Sequence, residues 1–322
     1  MNRYALCLIA SMLMVGSNVG IGKAIVATMP VLLFALLRFV VGVSVLLPVF
    51  RLSRLRRVSR AEWFNLFLQA LFGTFLFTLL MLYGVRHTSA LAAGVITSTI
   101  PAVVILLAWA VLRETPSRRA LLAVALAMGG VLIVNVARGG GSDGGSLLGN
   151  LLVLGAVCCE SLYVILSRRL TQTLPAIEIC AYTHAIGLLL MLPFGVSAAW
   201  SFDFASVDAG TWALVLWYGL AASVFSFWLW MKGIRHVPGQ LAGVFTAVLP
   251  VAAAGYGIVF LGEQPTLVHG IALACVLAGI VIASLQAPAR PMLPDDDAPP
   301  QRAASPQTTA GKSSAGTGRP SR

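Results

Sequence analysis

Residues 84–94 read GVRHTSALAAG and residues 233–243 read GIRHVPGQLAG. The two stretches share Gly-x-Arg-His and an Ala-Gly exit, 149 positions apart. The same offset joins Trp63 to Trp212, Thr97 to Thr246, Pro101 to Pro250, Glu114 to Glu263, Pro116 to Pro265 and Gly130 to Gly279. Nearer the start of the unit the offset is 145, joining Lys23 to Arg168, Pro30 to Pro175 and Pro48 to Pro193. Two offsets held across unlike residue types mean that the chain repeats a unit, with a four-residue loop difference inside it.

Composition says what the unit is made of. Of the 322 residues 58% are apolar and 10% charged, and the mean hydropathy is +0.90. That is too apolar for an ordinary soluble chain, so the solvent is a lipid bilayer. Apolar runs at 4–22, 30–50, 63–83, 90–112, 120–137, 147–167, 176–199, 211–231, 239–261 and 267–286 are each near the twenty residues of a spanning helix. The expected architecture is all-α integral membrane, ten transmembrane helices forming two five-helix repeats. Five is odd, so the second repeat enters the membrane from the opposite side and the pair is inverted. The expected organisation is a first repeat at 1–137, a Gly/Ser linker at 138–146, a second repeat at 147–286 and a disordered cytoplasmic tail at 287–322.

The net charge of +11 fits this topology rather than nucleic-acid binding. Alternating spans put eighteen basic residues on one side, among them Arg51, Arg54, Arg56, Arg57, Arg118, Arg119, Arg168 and Arg169. The other side receives Lys23, Arg86 and Arg138. By the positive-inside rule both termini are cytoplasmic. Arg3 followed by ALCLIASMLMVG has the shape of a signal peptide, but no small-x-small site follows and the segment pairs with a later span, so it reads as the first helix. The five cysteines lie inside spans without CxxC spacing or a histidine cluster, which predicts no disulfide framework and no metal site. GKSS at 311–314 lacks the first glycine of a P-loop, where Pro306 stands, so no nucleotide cofactor is expected.

Ionisable residues deep in a span point to function, because charge there is expensive. Arg38, Glu160 and His184 are the three. A guanidinium cannot shed its proton, so Arg38 must be paired, hydrated or receptive to an anion. Glu160 can carry a proton, and His184 can relay one. The alternative is an internal Arg38–Glu160 pair tying the halves together, with His184 bonded in the core. Asn18 and Tyr163 supply further candidate polar lining. Pro101 and Pro250 interrupt the fourth and ninth spans and free the carbonyls of Thr97 and Thr246, which either line a cavity or belong to sealed kinks. The GxRH element reads as the tight loop joining the third and fourth spans, and again the eighth and ninth.

VGSNVGIGKA (15–24), LLRF (36–39), YGVRHTSALAAG with TIPAVVILLAWAVLRE, SLYVILSRR (161–169) and LPVAAAGYGIVFLGEQPT (249–266) together resemble the EamA-type branch of the drug/metabolite transporter superfamily. The resemblance covers all but the tail. It implies ten helices in two inverted bundles and transport of small organic metabolites, commonly export of amino acids or related compounds. Relatives often carry tryptophan where this chain has Val15 and Glu160, positions related by the 145 offset; that departure favours a cationic substrate group or a proton-linked cycle.

The functional expectation is a secondary transporter in the bacterial inner membrane that exports an amino acid, a related metabolite or a drug-like molecule by alternating access, with protons as coupling ion. Its partners are then the small-molecule substrate and the bilayer, not nucleic acid, and the sequence leaves oligomeric state open. The alternatives are an integral-membrane enzyme, for which no HExxH or supported Ser/His/Asp set is present, and a non-transporting scaffold or sensor.

Overall fold

An apolar run in lipid can satisfy its own backbone groups by coiling into a helix, and Leu, Val, Ala and Ile fill these runs. The computed structural model describes residues 3–50, 58–113, 115–136, 146–170, 173–234, 245–246 and 248–284, and every regular element among them is helical. The 138–145 part of the expected linker and the expected tail lie outside the described residues.

Helices α1 (Arg3–Val26) and α2 (Val31–Leu46) open the chain. Next, α3 (Arg60–Gln69) begins at a capping box in which Ser59 Oγ accepts from the Glu62 N–H at 3.2 Å and the Glu62 carboxylate accepts from the Ser59 N–H at 2.8 Å. It continues through a π-helical stretch, Ala70–Leu76, into α4 (Phe77–His87). The next span is broken: α5 (Ala90–Thr97) stops, Ser98 and Thr99 turn, and α6 (Ile100–Leu112) resumes with Pro101 in its first turn. Helix α7 (Arg118–Val136) completes the first stretch. Then come α8 (Leu147–Leu170), α9 (Ala176–Trp200) and α10 (Ala209–Leu220), which passes through a second π-helical stretch, Ala221–Phe225, into α11 (Ser226–Ile234). Helices α12 (Val248–Leu261) and α13 (Leu267–Ser284) end the described chain.

Among the described residues, seven segments are long and apolar enough to cross a bilayer: Arg3–Val26, Val31–Val49, Arg60–His87, Ala90–Ala110, Leu147–Ser167, Ala176–Trp200 and Ala209–Gly233. The helices α12 and α13 are shorter apolar elements. Large exposed apolar side chains such as Leu132, Leu189, Val259 and Phe260 turn outward, where lipid is their natural solvent.

The helices interleave. The first, α1, packs on α12 and α11; α8, at the offset position of α1, packs on α5, α6 and α4; α2 packs on α9, and α7 on α13. Lipid tails provide no hydrophobic drive for such pairs, so close van der Waals approach has to hold them. Glycines supply it at offset-related places. A Cβ on Gly84 would come within 2.6 Å of Val153 and 3.1 Å of the Gly149 carbonyl; one on Gly233 would meet Leu8 at 2.6 Å and the Tyr4 carbonyl at 2.9 Å. Likewise Gly130 abuts the Ala272 carbonyl at 2.8 Å, and Gly279 abuts that of Ala123 at 2.9 Å.

The first GxRH differs from the expected loop. Gly84 to His87 form the last turn of α4, and the connection is only Thr88 and Ser89. Gly84 is there for the close approach of α8. Arg86 and His87 are exposed in the last turn, where a positive charge complements the helix dipole. The second copy falls mostly within residues 235–244, outside the described residues.

Candidate functional site

Arg38, in the middle of α2, is 6% exposed. Its Nη1 donates to Thr78 Oγ1 on α4, and its guanidinium carbon lies 5.2 Å from the Phe39 ring centroid and 5.9 Å from that of Tyr218 on α10. Among the described residues no carboxylate stands within ion-pair distance of it, and its Nε has no hydrogen-bond partner. Glu160, on α8, makes no ion pair with it. The expected alternative of a direct Arg38–Glu160 tie is therefore not what the structure forms. A charge buried this way is held by one hydroxyl and two aromatic faces, which leaves donor capacity unused.

His184, on α9, is also 6% exposed. Its Nδ1 is 2.8 Å from the Cys180 carbonyl, which can only accept, so this bond assigns the proton to Nδ1. In the neutral ring Nε2 is then an acceptor, and it has no partner. The ring meets Phe39 edge-on at 6.1 Å. Phe39 and His184 are 145 positions apart, as are Gly42 and Gly187. The contacts follow the same relation. A Cβ on Gly42 would lie 2.7 Å from Ser223 Oγ and 3.3 Å from His184 Cδ2; one on Gly187 would lie 2.8 Å from Thr74 Oγ1 and 2.9 Å from Phe39. Thr74 and Ser223 are 149 apart, one in each π-helical stretch.

The two sides are not chemically equal. Thr74 Oγ1 donates to the Ala70 carbonyl at 2.6 Å and also approaches that of Thr183 at 3.4 Å, whereas Ser223 Oγ, 1% exposed, has no partner. One hydroxyl flanking the α2–α9 crossing is thus satisfied and the other is not, and Arg38 Nε and His184 Nε2, on the two crossing helices, also lack hydrogen-bond partners. Buried polar groups are otherwise almost always bonded. Such a set can bind a molecule that brings both an oxyanion and a donor.

The remaining candidates lie on other helices. Asn18, on α1, is 6% exposed with Oδ1 unpartnered, one turn before Gly22, whose missing Cβ leaves 3.4 Å to the Tyr218 ring. Tyr163, on α8, packs its ring on Gly73 in the first π-helical stretch. Pro101 and Pro250 stand in the first turns of α6 and α12, where a missing N–H costs little. Thr97 donates to the Ala93 and Gly94 carbonyls at 2.8 and 3.1 Å, while Ser98 and Thr99 bond to those of Val95 and Ile96, both at 2.6 Å. The Thr246 carbonyl accepts from the Leu249 N–H at 3.1 Å, so it is not freed by Pro250. Pro101 lines a small cleft with Ser98, Ile105, Ala123, Ala127 and Gly279, and none of Arg38, Glu160 or His184 reaches it. The helix break and the buried charges therefore do not share that cleft.

Sequence reasoning missed Ser223, Thr78, Tyr218 and Gly42. Small and hydroxyl residues are common in spans, but the offset pairs Thr74/Ser223 and Gly42/Gly187 carry the signal that could have found two of them.

The EamA-like transporter family model matches residues 2–136 and again 147–285. An uncharacterized transporter of Bacillus subtilis, YetK, is 36% identical over 279 residues, covering 85% of this chain and 84% of its own. A probable terminal-alkyne amino-acid exporter of Streptantibioticus cattleyicolor is 22% identical over 206 residues, covering 64% and 68%. A protein of known crystal structure superposes with a TM-score of 0.59 at 16% identity, over 88% of this chain and 98% of its own, a likeness of fold alone. With two matches that fill both repeats found in the sequence, this chain belongs to the EamA-like transporter family.

Proposed function

We propose that this chain is a secondary transporter that exports a small organic metabolite, an amino acid or related compound, or a drug-like molecule, by alternating access and in exchange for protons. The observation that carries the reading is the asymmetry at the α2–α9 crossing, where Arg38 Nε, His184 Nε2 and Ser223 Oγ lack partners. Arg38 takes the anionic group of the substrate, and Ser223 and His184 orient its donor. Glu160 is the proton carrier, since its carboxyl can be charged or neutral while the guanidinium beside it cannot. Asn18 and Tyr163 complete the lining.

The ten-span inverted architecture belongs to the same reading. It is supported by glycine contacts that recur at offset-related positions, by helix pairings that do the same and by the matched π-helical stretches. Two like units facing opposite ways give two conformations of similar energy that expose one site to either side. Both termini are then cytoplasmic, in the inner membrane of a bacterium. The breaks at Thr97–Pro101 and Thr246–Pro250 are the points where the broken spans can bend.

The test is a flux assay on purified protein in liposomes, loaded with a panel of amino acids and related organic acids, with and without a proton gradient. Uptake or release of at least one compound, lost in Arg38→Met and made independent of the gradient in Glu160→Gln, is the expected result. Gradient-driven flux unchanged in both well-folded variants would overturn the assignment.

A further inference from the structure

Away from the α2–α9 crossing, one carboxylate holds three helix ends. Glu263 follows Gly262, which adopts φ +65°, and its own N–H donates to the Gly257 carbonyl at 3.0 Å, closing the end of α12. Its side chain is 10% exposed. Oε1 accepts from Lys23 Nζ at 2.6 Å and from the Ala90 N–H at 2.7 Å; Oε2 accepts from the Leu91 N–H at 2.9 Å. Lys23 lies in the last turn of α1, and Ala90 and Leu91 are the first residues of α5.

Each contact has an electrostatic reason. The first amide groups of a helix have no partner within it, and the helix dipole draws negative charge there. The last turn of a helix favours a cation, which Lys23 supplies. Gly257 makes room, since a Cβ there would stand 2.7 Å from Glu263 Oε2. Below this knot α1 and α5 both rest on α12, the second through Gly94, whose Cβ would approach Ala253 at 2.8 Å. The three ends cannot separate while the carboxylate keeps all three bonds. If it leaves, α5 still retains a cap, because Ser89 Oγ accepts from the Ala92 N–H at 3.0 Å. The carboxylate is thus a contact that the fold can lose without unwinding the helix it caps.

We propose that Glu263 is the latch of a gate: its bonds to Lys23, Ala90 and Leu91 close the face on which these helix ends lie, and they break when the substrate site opens to that face. The inference rests on the alternating-access reading and adds to it the residue that holds one face shut. The sequence carries the same charges at the offset positions, Glu114 and Arg168.

The experiment uses the full chain in liposomes, with the five native cysteines replaced and Ser223→Cys as reporter. A membrane-impermeant thiol reagent is applied from each face in turn. Glu263→Gln is expected to speed labelling from the Lys23 face by about tenfold, the factor set by losing one charge-assisted bond to a closed state. Lys23→Met acts in the same direction by less, because the bonds to α5 remain. A second variant, Lys23→Cys with Glu263→Cys and without the reporter, is bridged by a short reducible crosslinker. Bridging is expected to abolish flux, with recovery on reduction. Unchanged labelling in folded Glu263→Gln, or full flux in the bridged protein, would overturn the latch. The labelling needs no substrate, so a failure to find a transported solute would count against the transport reading and leave the gate measurable.

Discussion

At the scale of single residues, the α2–α9 crossing makes a prediction that separates function from stability. A buried hydroxyl without a partner costs stability, on the order of 1–3 kcal/mol. Ser223→Ala should therefore leave the Tm unchanged or raise it, while reducing flux. Its offset partner behaves oppositely: Thr74→Val removes bonded hydroxyl contacts, so it should lower stability by about 1 kcal/mol. A lowered Tm in Ser223→Ala would mean that the hydroxyl has an internal partner and is not presented to substrate. Gly42→Ala is the filling experiment. Its Cβ would press on Ser223 Oγ at 2.7 Å, for an expected loss of about 1–3 kcal/mol, measured by thermal unfolding in detergent. Arg38, Glu160 and His184 were legible in the sequence because charge in an apolar run is rare. Ser223 was not, since a serine in a span has no such contrast, and only its unpartnered state in the fold distinguishes it.

At the scale of elements, capping and breaking decide where each helix can move. Asp208 caps α10: its carboxylate accepts from Thr211 Oγ1 at 2.6 Å and from the Thr211 N–H at 3.0 Å, and these bonds hold its pKa below the usual aspartate value. A depressed carboxyl contributes stability above its unfolded pKa and loses it as pH falls through the folded one. The Tm advantage of wild type over Asp208→Asn should therefore be full at neutral pH and shrink below about pH 4. An advantage constant down to pH 3 would refute the cap. In the fourth span the hydroxyls of Thr97, Ser98 and Thr99 satisfy carbonyls at the break, so Pro101→Ala should not straighten it without help. Expected are an unchanged Tm and a reduced rate of flux; unaltered flux would make the break an ordinary kink. The seven segments long enough to cross a bilayer were readable from apolar run length. The π-helical stretches were not, because they change the hydrogen-bond register without changing composition. Nor was the Glu263 knot, whose partners lie as far as 240 positions apart in the chain.

At the scale of the whole molecule, the charge asymmetry predicts sidedness. Both Ser59 and Ser206 are exposed and lie between spans. In a cysteine-free background an impermeant reagent added to intact cells should label Ser206→Cys and spare Ser59→Cys. Labelling of Ser59→Cys from outside would invert the topology and refute the assignment of Lys23 and Glu263 to the external face. The repeat itself was legible because its glycines, prolines and tryptophans recur at two offsets. The interleaving was not, since an offset says that two segments are alike and nothing about which of them touch.

That interleaving sets a schedule for biosynthesis. Helix α1 packs on α11 and α12, and α7 on α13, so both emerge from the ribosome long before their partners exist. At about 5–20 residues per second, α7 waits on the order of ten seconds for α13, and α1 waits longer for α12. During that time the glycines that face these late partners, Gly16 and Gly20 on α1 and Gly130 on α7, lack them. A message truncated before residue 248 would leave α1 without α12, a lasting mark by which membrane proteases can tell an unfinished chain from a finished one.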